Sequence, residues 1–298
     1  MRLIWIIFLI LSLYSCQSEV EPNKKEPTPP LPSDPLVSEY DAFPYTLNAP
    51  TKSFTLDAKL KEISGLSWHT KETFLLANND EEGIIYFLDP QTAEIKKEWS
   101  FEDKGDFEGI EMVGEQIFLT KSNGTIYEVN GDNERIRYKT ILKKKFDVEG
   151  LAYNRLKHVL LLICKGTAVS KKEKTIYAFD LNNKSLIPQP ILSIQRKTIQ
   201  QFLIQNTMLT NEAAEELSKE FAPSAIAEHP QTGDLYVLSA TANLLLVLSP
   251  SGQTLHVERL DRELFPQPEG LCFNPQTLDL YISTEGKKGD GMLHYFQH

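Results

Sequence analysis

A short motif recurs five times along this chain and constrains its fold more than any other feature. In its clearest copy, Phe107-Glu108-Gly109-Ile110, an acidic residue and a glycine precede an aliphatic residue. The related copies are Ile63-Ser64-Gly65-Leu66, Val148-Glu149-Gly150-Leu151, Pro223-Ser224-Ala225-Ile226 and Pro268-Glu269-Gly270-Leu271. Their third positions, 65, 109, 150, 225 and 270, are 44, 41, 75 and 45 residues apart. Three of these steps match the length of a propeller blade, and the long step matches a blade with an insertion.

Each copy of the motif is followed by strand patterns in the same order. In the first repeat, apolar residues at 66–68 precede a turn, a second apolar run at 73–77 and, after a polar loop, a third at 84–88. Turn sequences such as Pro230-Gln231-Thr232-Gly233 separate the runs in later repeats. Short β-rich runs at this spacing predict an all-β fold, a five-bladed β-propeller with four-stranded blades.

The two ends of the repeat region predict how the ring closes. The last repeat ends at Phe296 after its third strand, and an unassigned strand pattern, Ser53-Phe54-Thr55-Leu56-Asp57, precedes the first repeat. We expect this N-terminal strand to complete the last blade, because a closed ring leaves no unpaired edge at the seam.

The 75-residue step predicts a small helical insertion around residues 193–221. Thr210 is a suitable N-cap for a helix from Asn211 to Phe221, whose residues favour helix and whose early positions are acidic. Residues 199–204 predict another turn or two. The insertion either shapes a binding mouth or covers one blade; the pattern favours the cover.

Composition and charge exclude several classes of protein. A chain of 298 residues with 41% hydrophobic residues can bury a large core. A net charge of −10 without a basic stripe argues against binding to nucleic acid. The three cysteines, Cys16, Cys164 and Cys272, have neither the number nor the spacing of a disulfide scaffold or zinc module. Cys164 and Cys272 lie in apolar strand patterns, which predicts buried thiols.

The first residues have the pattern of an export signal. A basic start, an apolar run from Leu3 to Leu13 and the sequence Leu13-Tyr14-Ser15-Cys16 are typical of a bacterial lipoprotein signal. We therefore assign residues 1–16 to a lipoprotein signal peptide with a lipidated Cys16, 17–50 to a proline-rich tether and 51–298 to the propeller domain. Alternatively, Cys16 merely ends an ordinary signal peptide or a short membrane anchor. A lipid such as palmitate on Cys16 would anchor the protein in the cell envelope, to the outer or the plasma membrane, with the propeller domain outside the cytoplasm.

The residue before each blade-opening glycine is the main candidate for a site. At the start of an innermost strand this residue can face the central channel, and glycine lets neighbouring blades approach closely. The resulting ring reads Ser64, Glu108, Glu149, Ser224 and Glu269. Three converging carboxylates must share protons, stay hydrated or bind a cation. Hard oxygen ligands without histidine favour calcium, with magnesium or another divalent cation as the second choice, over a soft transition metal. Alternatively, the glutamates bond to backbone amides of the next blade.

Other polar residues receive weaker assignments. Glu285 and Asn79-Asp80 follow second strands and are expected to line the channel mouth, while Asp106 and Asp147 are expected in turns or as partners of the glutamates. The six histidines share no spacing with one another or with a serine, so we interpret them as structural rather than catalytic.

These residues resemble those of a known family. The Glu-Gly-Leu blade openings, Asn78-Asn79-Asp80, Phe221-Ala222-Pro223-Ser224 and the lipoprotein start are similar to the SdiA-regulated family of bacterial five-bladed propellers, related to NHL-repeat propellers. The resemblance covers about residues 53–298 and implies a bound calcium ion without an established activity. More remotely, Glu108, Glu149 and Glu269 resemble in position the metal ligands of six-bladed gluconolactonase-like enzymes.

Two functions follow from these patterns. The first is a membrane-anchored, calcium-binding propeller that acts as a non-catalytic binding or scaffold module for an unknown protein or small-molecule ligand, and as a monomer. The second is a divalent-metal-dependent hydrolase of the lactonase or phosphoesterase type that uses the channel metal. The sequence shows no base suited to hydrolysis, which favours the first.

Overall fold

The computed structural model describes residues 43–166, 172–207 and 209–298, all within one compact unit that spans Tyr40–His298. The signal peptide, Cys16 and most of the tether that we infer from the sequence lie outside the described residues. Within the described ranges, no helix has the length and apolar character needed to cross a membrane.

The described chain forms five antiparallel sheets, one for each copy of the motif. An N-terminal strand, β1 (Lys52–Thr55), and a 3₁₀ helix (Ala58–Leu60) precede the first blade. Blade 1 contains β2 (Ile63–Trp68), β3 (Leu75–Asn79), β4 (Glu82–Leu88) and β5 (Ile95–Lys104). Blade 2 contains β6 (Phe107–Val113), β7 (Gln116–Lys121), β8 (Ile126–Gly131) and β9 (Glu134–Tyr138).

The third blade differs at its outer edge. After a 3₁₀ helix (Lys144–Phe146), it contains β10 (Val148–Asn154), β11 (Val159–Cys164) and β12 (Glu173–Asp180). Two short segments, β13 (Ser185–Leu186) and β14 (Leu192–Gln195), both pair with β12 and divide the fourth position between them.

The last two blades are regular. Blade 4 contains β15 (Ala225–Glu228), β16 (Leu235–Ser239), β17 (Leu244–Leu248) and β18 (Thr254–Arg259). Blade 5 contains β19 (Pro268–Phe273), β20 (Leu280–Thr284), β21 (Met292–Phe296) and, as its fourth strand, β1. The predicted all-β fold with five four-stranded blades is therefore confirmed.

The N-terminal strand closes the ring as predicted. Strand β1 pairs antiparallel with β21, so that Ser53 lies opposite His294, and the Ser53 Oγ and His294 Nδ1 atoms are 2.8 Å apart. The strand ends at Thr55, two residues earlier than the sequence pattern indicated. The reason is Asp57, whose side chain accepts a hydrogen bond from the Lys59 N–H and begins the 3₁₀ helix.

The blade-opening glycines lie where adjacent innermost strands come closest. A Cβ atom on Gly109 would be 2.8 Å from the Leu151 nitrogen of blade 3, and one on Gly270 would be 3.0 Å from the Leu66 Cβ of blade 1. Gly65 and Gly150 face the next blade in the same way. The predicted close approach of blades at these glycines is confirmed, since any side chain there would push two sheets apart.

The core lies between neighbouring blades. Between blades 1 and 2, for example, Phe101, Phe107 and Tyr127 are almost fully buried, with ring centroids 5.1 to 5.7 Å apart in edge-to-face contacts. Cys164 and Cys272 are buried free thiols, as expected from their strand patterns.

The insertion folds into two helices, α1 (Arg196–Asn206) and α2 (Asn211–Glu220). Thr210 is the N-cap of α2, and its side chain accepts a hydrogen bond of 3.3 Å from the Ala213 N–H. Leu203 and Ala214 are fully buried and join the core shared by blades 3 and 4. The helices therefore cover blades 3 and 4, in agreement with the interpretation of the insertion as a cover.

The first described residues also pack on the propeller. Tyr45 and Leu47 are buried within the core of blades 4 and 5, and the Tyr45 hydroxyl donates a hydrogen bond of 2.6 Å to the Leu278 carbonyl. The end of the segment that we assign to the tether is thus held against the domain.

Candidate functional site

The residues before the blade-opening glycines occupy bulges in the innermost strands. In blade 2, Phe107 lies opposite Lys121 and Gly109 lies opposite Thr120, so Glu108 has no partner in the ladder. The same register shift leaves Ser64, Glu149 and Glu269 unpaired. A bulge turns its extra side chain away from the regular alternation of the strand. This local geometry, which the strand pattern does not specify, explains why these residues can face the axis.

The bulged residues surround a narrow part of the channel. Ser64, Glu108 and Glu269 line an axial cavity of about 10 Å³ together with the glycines and the aliphatic residues that follow them. This volume is comparable to that needed for one water molecule. The Ser64 hydroxyl donates a hydrogen bond of 2.9 Å to Glu108 Oε2, which links blades 1 and 2 across the ring.

Ser224 plays a different part in the ring. Its hydroxyl donates a hydrogen bond of 2.7 Å to the Pro268 carbonyl and accepts one of 3.1 Å from the Ala240 N–H. The side chain therefore joins the start of blade 4 to blade 5. Both bonds are consistent with a structural role at this ring position.

Burial and neighbouring charges disfavour the ionised forms of the three glutamates. Burial and the charge of Glu149 raise the pKa of Glu108 to about 8. Burial also raises the pKa of Glu149 to about 7, although Lys165 opposes the change. The pKa of Glu269 lies well above its usual value because of burial and the charges of Glu285 and Glu149. Repulsion from another ring carboxylate therefore acts on Glu108 and on Glu269.

A lysine that the sequence motif did not indicate belongs to this site. Lys165 Nζ lies 3.2 Å from Glu149 Oε1 in an ion pair, and its charge also acts on Glu269. Burial lowers the pKa of Lys165, but the charges of Glu149 and Asp147 outweigh this effect and leave the pKa raised. Lys165 directly follows β11, and its N–H donates to the Asp147 carbonyl at 2.8 Å.

The position of Lys165 recurs in every blade and forms a second ring at the channel mouth. The equivalent residues, each following the second strand of its blade, are Asp80, Ser122, Lys165, Ala240 and Glu285. Backbone bonds such as Glu285 N–H to the Gln267 carbonyl fix the shared register. The position of Lys165 is visible in the sequence only when the five repeats are aligned on their second strands, and not when they are aligned on the glycine motif.

The second ring has two acidic residues, Asp80 and Glu285, beside Lys165, and its other two residues are uncharged. Burial and the charge of Asp80 raise the pKa of Glu285 to about 7. Burial and the charge of Glu62 raise the pKa of Asp80, whose Oδ1 is buried and has no hydrogen-bond partner among the described residues. Asp80 and Glu285 thus lie close enough for their charges to interact at the channel mouth, the location that the sequence predicts for them.

The two aspartates that precede the ring glutamates have local roles. Asp147 has a left-handed backbone with φ 51° and closes the 3₁₀ helix before β10, which is a turn function. Asp106 accepts a hydrogen bond from the Ser122 hydroxyl, and its charge contributes to the raised pKa of Glu108.

The side chains do not converge on a point that would hold a cation. Among the described residues, no group of three or more His, Cys, Asp or Glu side chains is close enough to bind a metal ion. The oxygen donors of the ring match the chemistry that calcium prefers, but Glu149 is turned toward Lys165 and Glu108 toward Ser64.

Three histidines, His69, His158 and His229, lie between strands, whereas His256 lies in β18 and His294 in β21. His229 stacks on Tyr236, and burial lowers its pKa to about 4. His69 Nδ1 accepts a hydrogen bond of 2.9 Å from the Glu72 N–H, and His294 Nε2 lies 2.9 Å from the Leu264 carbonyl. These contacts are structural ones.

Comparisons with solved structures place the chain among propellers. The crystal structure of Myxococcus xanthus glutaminyl cyclase superposes with a TM-score of 0.55 and 12% identity, over 84% of this chain and 95% of that chain. A luciferin-regenerating enzyme superposes with a TM-score of 0.52 and 11% identity, over 84% and 96%. A putative gluconolactonase reaches a TM-score of 0.48 and 11% identity, over 79% and 75%. The first two likenesses show the fold alone.

Sequence comparisons identify the family. None of the curated proteins matches the chain. The model of the SdiA-regulated family matches residues 52–287, which include the opening motif of every blade. The chain therefore belongs to the SdiA-regulated family, as its motifs had indicated.

Proposed function

We propose that this protein is a lipid-anchored, extracytoplasmic propeller whose channel glutamates bind a divalent cation, calcium first, and that it serves as a non-catalytic binding module. The observation that carries the proposal is an excess of carboxylates over cations around the axis, where Glu149 is buried and Glu108 and Glu269 are half-buried. Glu108, Glu149 and Glu269 all have raised pKa values, and Lys165 alone among the described lysines and arginines forms an ion pair with one of them.

A cation would relieve this excess directly. Divalent charge close to the ring favours the ionised carboxylates, so binding and deprotonation are coupled. In this proposal the backbone at the bulges stays fixed, and only side-chain rotamers change. Glu108 gives up its hydrogen bond from Ser64, and Glu149 gives up its ion pair with Lys165, so that both carboxylates turn toward the cation. Glu269, for which no hydrogen bond to the carboxylate is seen among the described residues, needs no such exchange.

The small size of the axial cavity favours binding over hydrolysis. About 10 Å³ beside the ring accommodates a cation or a water molecule, but not a lactone or phosphoester next to a cation. A metal-dependent hydrolase needs substrate and nucleophilic water at the same metal ion. We therefore assign the cation a structural and charge-balancing function.

Thermal unfolding tests the cation site. Calcium should raise the Tm of the purified protein relative to a sample in EDTA, since a ligand that binds only the folded state stabilises it. The triple variant Glu108→Gln, Glu149→Gln, Glu269→Gln should lose this response. A control with the exposed residues Glu94, Glu115 and Glu263 changed to Gln carries the same change in charge and should keep it. Equal responses in both variants would remove the proposed site.

Cell fractionation tests the anchor. We propose that Cys16 is acylated and that the following tether, up to about residue 50, separates the domain from the membrane. Cys16→Ala should then release the protein into the soluble extracytoplasmic fraction. Retention of the variant in membranes, at the level of the parent protein, would contradict the lipid anchor.

A further inference from the structure

A second cavity lies on the channel axis, at the end where the innermost strands finish. It has a volume of about 170 Å³ and receives residues from every blade. One residue from each blade, in order, is Ser67, Glu111, Tyr153, Glu228 and Phe273. Along each innermost strand, the buried aliphatic residue after the blade-opening position comes between the ring residue and the residues that line this cavity. One of these aliphatic residues, Leu271, lines both this cavity and the small axial cavity beside the ring. The cavity is thus a site distinct from the ring.

Glu111 is the main polar group in this cavity. Its Oε1 accepts hydrogen bonds from the Ser67 hydroxyl at 2.7 Å and the Met112 N–H at 2.8 Å, and its Oε2 accepts one from the Tyr153 N–H at 3.1 Å. These three neutral donors come from blades 1, 2 and 3 and fix the carboxylate in place. Each carboxylate oxygen has two lone pairs, so Oε2 can accept a further bond from a ligand.

The cavity has one more carboxylate than it has cations. Arg155 Nε lies 3.6 Å from Glu228 Oε1, and the Asn154 side chain donates to Glu228 Oε2 at 2.6 Å. Among the described residues, no lysine, arginine or histidine forms an ion pair with Glu111. Burial and the charge of Glu228 both raise the pKa of Glu111, to about 7, as expected for a carboxylate without a cationic partner.

The walls of the cavity are mainly apolar. Trp68, Met112, Leu271 and Phe273 surround the two carboxylates. A calcium or magnesium ion needs about six oxygen ligands, which such walls do not provide. An organic cation meets both features, because its charge balances Glu111 while its carbon atoms bury against the walls, and aromatic faces attract cations.

We propose that this cavity binds a small organic ammonium ion with an apolar body and that Glu111 is its counter-ion. The ammonium group donates a charge-assisted hydrogen bond to Glu111 Oε2, and the body lies against Trp68 and Phe273. This site does not depend on the cation proposed for the glutamate ring, and it gives the binding module a defined class of ligand.

Isothermal titration with a matched pair of probes tests the proposal. 2-Phenylethylammonium carries the required charge and apolar body, and 2-phenylethanol has a similar shape and a hydroxyl donor without the charge. The purified protein should bind the ammonium at millimolar or lower concentration, and at least about tenfold more tightly than the alcohol, because charge-assisted hydrogen bonds are the stronger ones.

Two variants locate the charge. Glu111→Gln should reduce the preference for the ammonium at least about fivefold, whereas Glu115→Gln, an exposed glutamate on the same blade, should leave it unchanged. Equal affinity of the unmodified protein for both probes, or no binding of the ammonium at 10 mM, would overturn the proposal whether or not a variant folds. A folded Glu111→Gln protein that keeps the full preference would overturn the role of Glu111.

Discussion

The ring glutamates should make the metal-free protein less stable as the pH rises. The pKa of Glu108 is raised from 4.5 to about 8 in the folded protein. A group with a raised pKa stabilises the folded state at low pH, and this contribution is lost as the pH rises through the folded pKa. Stability in EDTA should therefore fall between about pH 5 and pH 9.

The variant Glu108→Gln removes this dependence at one position. The raised pKa corresponds to roughly 4–5 kcal/mol of destabilisation when Glu108 is fully ionised, an upper value that water and relaxation reduce to about 2–4 kcal/mol. Glutamine can still accept the hydrogen bond from Ser64, so the variant should be nearly neutral at pH 5. At pH 9 in EDTA it should melt roughly 5–10 °C above the parent protein.

Circular dichroism melts at pH 5, 7 and 9 measure this difference, with the exposed Glu94→Gln as the matched control. The Glu108→Gln curve should be flatter than those of the parent and the control. A variant that follows the parent at every pH, or that melts below it at pH 9, would refute the argument that buried charge destabilises the ring.

Three further predictions concern neighbouring features. Gly109→Val should destabilise the fold by at least about 3 kcal/mol in urea unfolding, because a Cβ there would lie 2.8 Å from the Leu151 nitrogen. The control Gly289→Ala, where a Cβ would lie in open space, should change the unfolding midpoint little. Equal midpoints for the two variants would refute the close approach of the blades. Lys165→Met should raise the pKa of Glu149 and tighten calcium binding at pH 8 by several-fold in a titration, since it removes the competing ammonium; weaker binding would show that Lys165 assists the site. Thr210→Ala should cost about 1 kcal/mol in the same urea assay through loss of the N-cap of α2, and no loss would contradict that cap.

The fold was readable from the sequence because the repeat carries its own physical cause. Glycine recurs where adjacent innermost strands touch, so the spacing of Gly65, Gly109, Gly150 and Gly270 counts blades directly. In the fourth blade Ala225 stands at this position, and the motif was still recognisable from Ser224 and Ile226. The seam followed from the same reasoning, because the last repeat has one strand too few.

The site was only partly readable. The ring positions followed from the motif, but the bulges that orient Glu108, Glu149 and Glu269 depend on pairing register, which a strand pattern does not specify. Lys165 pairs with a glutamate 16 residues earlier, from a different strand of the blade. Such a partner is determined by register and rotamer rather than by spacing along the chain.

The second axial cavity was missed for a related reason. Its polar centre, Glu111, is three residues after Glu108 in the same strand, and the other copies of the repeat have no carboxylate there. A residue that occurs in one blade gives no repeat signal. Its importance becomes visible only when the five innermost strands are brought around one axis.

Calcium titration of the metal-free protein tests the central claim most directly. At pH 8, isothermal titration should show one calcium ion bound per chain, with proton release because the ring carboxylates must ionise. The variant Glu108→Gln, Glu149→Gln, Glu269→Gln should show no such binding. Absence of calcium binding by the parent protein, or equal binding by the triple variant, would contradict the assignment of the channel glutamates as the cation site.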